Sequence, residues 1–248
     1  MRKNLLKTSV LIASMALVLG SCNKNDGDDP PSGNATNGKT TAVFNSSVTY
    51  GTMTDQVGNV YKTVTIGTQT WMAENLRTTK YNDGTAIPNV TDFGEWWRLT
   101  TGAFCNYNNA ASNVLTATYG RLYNWYAVNT DRLCPTGWHV PTDAEWTTLS
   151  TYLGGESVAG DKLKETGNTH WTHFNTGATN ETGFTALPGG YRDDNATFSG
   201  TGLSGFWWST TEFDADYAWY RVMFYENSDV VRPNFDKVLG LSVRCVRD

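Results

Sequence analysis

The sequence predicts an α+β domain: antiparallel sheets with two short flanking helices and a long irregular segment. Three observations predict it. Apolar and polar residues alternate near both ends of the globular stretch, a capped amphipathic segment lies between them, and the apolar inventory is dominated by ten Trp, twelve Tyr and ten Phe. Rings in that number build a core of aromatic plates between strands, not a bundle of aliphatic helices.

In chain order, the first element is an export signal over residues 1–21. "MRKNLLKTSVLIASMALVLGSC" joins Arg2, Lys3 and Lys7 to an apolar run from Val10 to Leu19 and small residues at Gly20 and Ser21. The run is too short for a membrane span. Leu19-Gly20-Ser21-Cys22 resembles the lipobox of bacterial lipoproteins, which implies acylation of Cys22 and anchoring by lipid alone. Residues 22–46 read as a polar tether. Its Asp26, Asp28 and Asp29 stand where surface-export signals sit in lipoproteins of the Bacteroidetes type, which gives an expected address at the outer membrane or cell surface.

Losing Arg2, Lys3 and Lys7 leaves 16 basic against 24 acidic residues, so the formal charge moves from −5 to −8. An acidic surface repels phosphate backbones, so nucleic acid is not expected as a partner. Residues 47–248 have the length of one ordinary domain.

Within it, Val60, Lys62, Val64 and Ile66 alternate along a strand, and Gly67-Thr68 turns the chain into Gln69–Met72, a hairpin. Asn82-Asp83-Gly84 marks a tight turn. Residues 93–113 show no period. Leu122, Tyr123, Tyr126 and Ala127 fall at helical spacing over 119–129. Thr142 and Glu145 form a capping box, after which Trp146, Leu149 and Leu153 share one face and Gly154-Gly155 ends the helix. A second helix follows over 158–165. Beyond Gly183, short apolar runs separated by Gly, Asn and Asp read as strands.

"GNVYKTVTIGTQTWMAENLRTTKYNDG", "YGRLYNWYAV", "LCPTGWHVPTDAEWTTLSTYLGG", "AGDKLKE", "NETGFTALPGGYRD", "FWWSTTE" and "LSVRCVRD" resemble the Fibrobacter succinogenes major paralogous domain, a family of secreted and lipoprotein domains. That family is similar to the C-type-lectin-like fold, especially the branch of the formylglycine-generating enzyme. The resemblance implies N- and C-terminal strands that meet, two flanking helices and an irregular segment that displays the working surface. Cys105, Cys134 and Cys245 allow three single pairings; the resemblance implies Cys134 with Cys245, because the helix start and the last strand meet in that fold. No CxxC occurs, and the oxidase's cysteine pair has no counterpart, so an enzyme of that group is the lesser expectation. A pilus or envelope assembly subunit and a retroelement-diversified receptor-binding protein are the others.

No GxSxG, HExxH or Gly-rich phosphate loop is present. His139 is expected to be packed beside Trp138, and His170 and His173 imply no third metal ligand. Asp193, Asp194 and Asn195 offer oxygens of the kind calcium uses, the one cofactor the sequence suggests, and equally suit a hairpin turn. The ligand-contacting set is expected in 205–236: Trp208, Ser209, Glu212, Asp214, Asp216, Tyr217, Trp219, Arg221, Asn227 and Arg232. Aromatic planes beside planar polar groups suit glycans, and Tyr, Trp and Arg suit proteins. The expected function is non-catalytic recognition of an extracellular glycan or protein.

Overall fold

The structure is a computed structural model that describes residues 34–172 and 174–247. The export signal, Cys22 and His173 lie outside the described residues. No helix among the described residues is long and apolar enough to cross a membrane.

The chain is α+β. An N-terminal sheet is made of β1 (Gly51–Thr54), β2 (Val60–Ile66) and β3 (Gln69–Met72), and the last strand joins it. Then come α1 (Phe93–Trp96), β4 (Phe104–Cys105), α2 (Asn113–Tyr119), β5 (Leu122–Tyr123), α3 (Trp125–Val128), α4 (Asp143–Tyr152) and α5 (Glu156–Leu163). The second sheet is built from β6 (Gly189–Arg192), β7 (Phe198–Thr201), β8 (Ser204–Glu212), β9 (Tyr217–Phe224) and β10 (Asn234–Asp236), and β11 (Val246–Arg247) closes the chain. Its order is β10-β9-β8-β6-β7, antiparallel except for β6 against β8. In the first sheet the order is β1-β2-β3-β11, with Val246 opposite Trp71. The expected meeting of the chain's two ends is therefore a strand pair.

The β2–β3 hairpin turns at Gly67, whose φ of 62° suits a residue without Cβ. The turn at Asn82-Asp83-Gly84 closes with the Gly84 N–H donating to the Tyr81 carbonyl. Helix α4 begins as expected: the Glu145 N–H donates to Thr142 Oγ1 at 3.2 Å, and Glu145 Oε2 accepts the Thr142 N–H at 2.7 Å. Trp146, Leu149 and Leu153 are buried on its inner side.

Three expectations need correction. Residues 119–129 are not one helix. Leu122 and Tyr123 form β5, because Tyr123 exchanges backbone hydrogen bonds with Leu241, and only α3 remains helical. The stretch 93–113, which shows no period, contains α1 and β4, and the unassigned residues after it form α2; Ser112 caps that helix, and it stops at Gly120, where a Cβ would lie 2.6 Å from Asn75 Cβ. From Asn34 on, the expected tether is docked: Thr36 Oγ1 donates to Asn59 Oδ1 at 2.9 Å, and the Val43 N–H donates to Glu165 Oε1 at 2.5 Å. Its composition offers little to bury, but its amides and hydroxyls find buried partners.

Seven tryptophans, Trp71, Trp96, Trp125, Trp146, Trp171, Trp207 and Trp208, are less than 2% exposed, which assigns most of the indole inventory to the core. Strand β8 runs between two apolar clusters. Trp207 joins Trp71, Trp146 and Phe184 under the helices, while Trp208 joins Tyr123 and Trp125 on the other face. Both faces of that strand are covered, so both indoles are core. Arg244, fully buried, holds the layers together. Its guanidinium donates to the carbonyls of Met72, Phe184 and Thr185 and to Asn75 Oδ1, over the Phe184 ring at 4.1 Å. Burial pushes its pKa down to about 9, so it remains a cation at neutral pH.

Cys134 and Cys245 form a disulfide with Cα atoms 6.0 Å apart. It joins the segment before α4 to the segment before β11, where His139 and Val246 also exchange backbone bonds.

Candidate recognition surface

The β8–β9 hairpin and β10 bring exposed rings to one edge of the second sheet. Phe213 is 50% exposed, Phe235 43% and Tyr217 39%. The hairpin tip is shaped by Asp214, whose Oδ1 accepts the N–H groups of Asp216 and Tyr217 at 2.9 and 2.8 Å, a turn an Asp side chain forms locally. Lys237 pins this tip from beneath. Its ammonium donates to Glu212 Oε1 at 3.0 Å and to the carbonyls of Asp214 and Ala215 at 2.9 and 2.7 Å, 4.7 Å from the Trp125 ring centre. Lys237→Met keeps the stem and removes three charge-assisted bonds. The expected loss is about 1–2 kcal/mol of stability, with faster amide hydrogen exchange at 213–217 than in β9 as the measurement that checks it.

Trp219 is half-buried behind this edge. Phe213 meets it edge to face at 5.0 Å, and the Arg232 guanidinium stands 3.5 Å from its ring centre. Arg232 in turn donates from Nε to both Asp143 oxygens at 2.9 Å, and Arg221 Nη1 reaches Asp143 Oδ1 at 2.6 Å. Burial alone would raise the Asp143 carboxyl, but the two guanidinium groups outweigh it and hold its pKa below the usual range. Asp143 is the first residue of α4, so the helix dipole also favours its charge.

Of the residues expected to contact ligand, Glu212, Asp214, Asp216 and Tyr217 lie together on the exposed edge, with Trp219 and Arg232 beside them. Trp208, Ser209 and Arg221 do not. Trp208 is wholly buried, with its indole N–H donating to the Tyr123 carbonyl; Ser209 Oγ donates to the Trp219 carbonyl; and the Arg221 side chain is buried and paired with Asp143. Alternation along a strand assigns faces but does not reveal when both are covered. Asn227 belongs elsewhere: its carbonyl accepts the buried Lys164 ammonium at 2.7 Å, and its Oδ1 accepts the Asp229 N–H. Sequence reasoning missed Phe213, Phe235 and Asp143. Phe213 opens the Asp-rich turn Asp214-Ala215-Asp216, and for that residue this was the available signal.

Asp193, Asp194 and Asn195 make the turn between β6 and β7. Their Oδ1 atoms accept the N–H groups of Asp194, Asn195 and Thr197 at 3.0, 2.6 and 2.9 Å. Among the described residues no group of three or more His, Cys, Asp or Glu is placed to hold a metal ion. His139 is exposed, not packed: Nε2 lies 2.6 Å from Glu145 Oε1, extending the helix cap. His170 Nδ1 contacts the buried Glu165 carboxylate at 2.7 Å and its Nε2 contacts Thr41 Oγ1 at 2.9 Å, fastening the N-terminal arm.

No curated protein matches the chain. The model of the Fibrobacter succinogenes major domain matches residues 64–247, from the middle of β2 to the end of β11. The matched stretch holds β3 and β11, the capped helix, the disulfide and the exposed edge. With well over half of its length matched, the chain belongs to the Fibrobacter succinogenes major domain family.

Proposed function

We propose that this protein is a non-catalytic binding domain of the bacterial cell envelope, lipid-anchored at Cys22, that recognises a partner at the cell surface through the β8–β9–β10 edge. The observation that carries the reading is the gathering of Phe213, Tyr217 and Phe235, all exposed, beside Glu212, Asp214, Asp216 and Arg232. Aromatic and Arg side chains concentrate binding energy at protein interfaces.

Between glycan and protein, ring orientation favours protein. A sugar needs a flat, open aromatic face. Here Phe213 and Trp219 meet at 85°, Tyr217 and Phe235 at 65°, and Arg232 covers the Trp219 face. A faceted, amphipathic surface of this kind suits side chains of a protein partner. The pairing of β3 with β11 beside two helices supports the lectin-like fold as the frame for such an edge.

The test uses the polypeptide from residue 34 to 248, since a start at residue 47 would remove the docked arm. It is applied to glycan and surface-protein arrays. Binding to a protein that is lost in Tyr217→Ala and Trp219→Ala at unchanged melting temperature is the expected result. Binding to glycans alone would overturn the protein preference, and silence on both arrays would overturn the recognition reading.

A further inference from the structure

On the face of β9 opposite Trp219, four neighbouring strands send one ring each into a cavity of about 180 Å3. The rings are Tyr191 from β6, Phe206 from β8, Tyr220 from β9 and Phe235 from β10; Leu239 and Leu241 complete the apolar wall. Asp193 is the one charged residue among the described residues of the lining.

The size excludes a drug-sized or oligosaccharide ligand, which needs several hundred Å3, and suits a group no larger than a side chain. The rings are not coplanar. Tyr191 and Phe206 are centred 4.7 Å apart at 55°, and Phe206 and Tyr220 6.1 Å apart at 41°, so they make a concave wall. A sugar ring stacks on a plane, whereas a compact tetrahedral cation touches several ring faces at once and is attracted to each by the ring quadrupole. Asp193 supplies the matching charge. Its Oδ1 accepts the Asp194 N–H, and Asp194 follows directly with a second carboxylate on the turn. Burial, with the Asp194 charge adding to it, raises the Asp193 pKa, a cost that a bound cation would relieve.

We propose that this pocket binds an alkylammonium group, either a methylated lysine side chain of a protein or a free quaternary ammonium of the choline type. The pocket shares only Phe235 with the edge described above, so either assignment can fail without the other.

The experiment titrates the full chain with choline and with 3,3-dimethylbutan-1-ol, the uncharged carbon counterpart of choline, following the aromatic side-chain signals by NMR. Saturable binding of choline is expected, with the uncharged counterpart weaker by about tenfold, the discrimination that aromatic walls and one carboxylate provide. Asp193→Asn is expected to weaken choline binding by about the same factor at unchanged melting temperature. Phe235→Ala removes a ring that is already partly exposed and should weaken it several-fold without unfolding the chain. A trimethyl-lysine peptide that binds at least as tightly as choline identifies the protein-borne source; a weaker peptide identifies the free ammonium. Equal affinity for the uncharged counterpart, no saturation by choline or the peptide, or choline binding unchanged in Asp193→Asn would overturn the proposal.

Discussion

Replacing both Cys134 and Cys245 with alanine is expected to lower the unfolding free energy by about 3–5 kcal/mol. The bridge spans 111 residues, and a loop of that size removes much of the freedom of the unfolded chain in the entropy model of cross-linking. Both residues are buried, at 3% and 0% exposure, and sit in the cluster that contains Tyr123, Trp125 and Trp208. Alanine leaves no unpaired hydroxyl there, so the measured loss combines the link with the packing of two buried sulfur atoms. For a domain of this size the shift in melting temperature is about 10 °C. Cys105 offers an internal control: burial pushes its thiol up to about 12, so it should resist alkylation in the folded protein, oxidised or reduced. A double variant that melts with the oxidised wild type would show that the hydrogen bonds between His139 and Val246 suffice to hold the chain's end in place.

The disulfide was legible only through the family resemblance, whereas the capped helix was legible from residues alone. Thr142 and Glu145 state a local interaction whose partners are three residues apart, and nothing distant can overrule it cheaply. Helix α2 shows the contrary case. "NVLTATY" is rich in β-branched residues with low helix propensity, yet it folds as a helix because Ser112 caps it and its Thr116, Ala117 and Thr118 are buried. Leu122 and Tyr123 went the other way. Their helical spacing is real, but the pairing of Tyr123 with Leu241 is a contact between residues over a hundred positions apart, invisible to any local window.

The candidate surface divides in the same manner. Asp214, Asp216 and Tyr217 announce an exposed turn by composition, and they form one. Trp208 and Arg221 alternate as a one-sided strand would require, but the Tyr123 layer covers the first and α4 the second. What sequence could not supply was the partner of Arg221, because Asp143 lies 78 residues away and its place at N1 of α4 already accounts for an acid there.

That partner carries the second large effect. Asp143→Ala is expected to cost about 3–5 kcal/mol, since it leaves the buried Arg221 guanidinium without its hydrogen-bonded carboxylate, with Glu156 acting on it only electrostatically. The remaining acceptors of Arg221 are the Asp143 and Tyr220 carbonyls and Thr147 Oγ1, all neutral. The sign with pH follows from the lowered carboxyl pKa. The stabilisation is present above the unfolded value of about 4 and is lost as pH falls through the lower folded value. Wild type and variant should therefore differ most near neutrality and converge in acid, as denaturant melts at pH 7 and pH 2 would record. Asp143→Asn combined with Arg221→Met removes the buried cation along with its partner and should recover much of the loss. Stability and surface geometry then separate, because the double variant still lacks the carboxylate that holds Arg232 over Trp219. If the partner reads Arg232 in that position, the double variant folds and binds weakly; if it binds like wild type, the Arg232–Trp219 contact serves the scaffold alone.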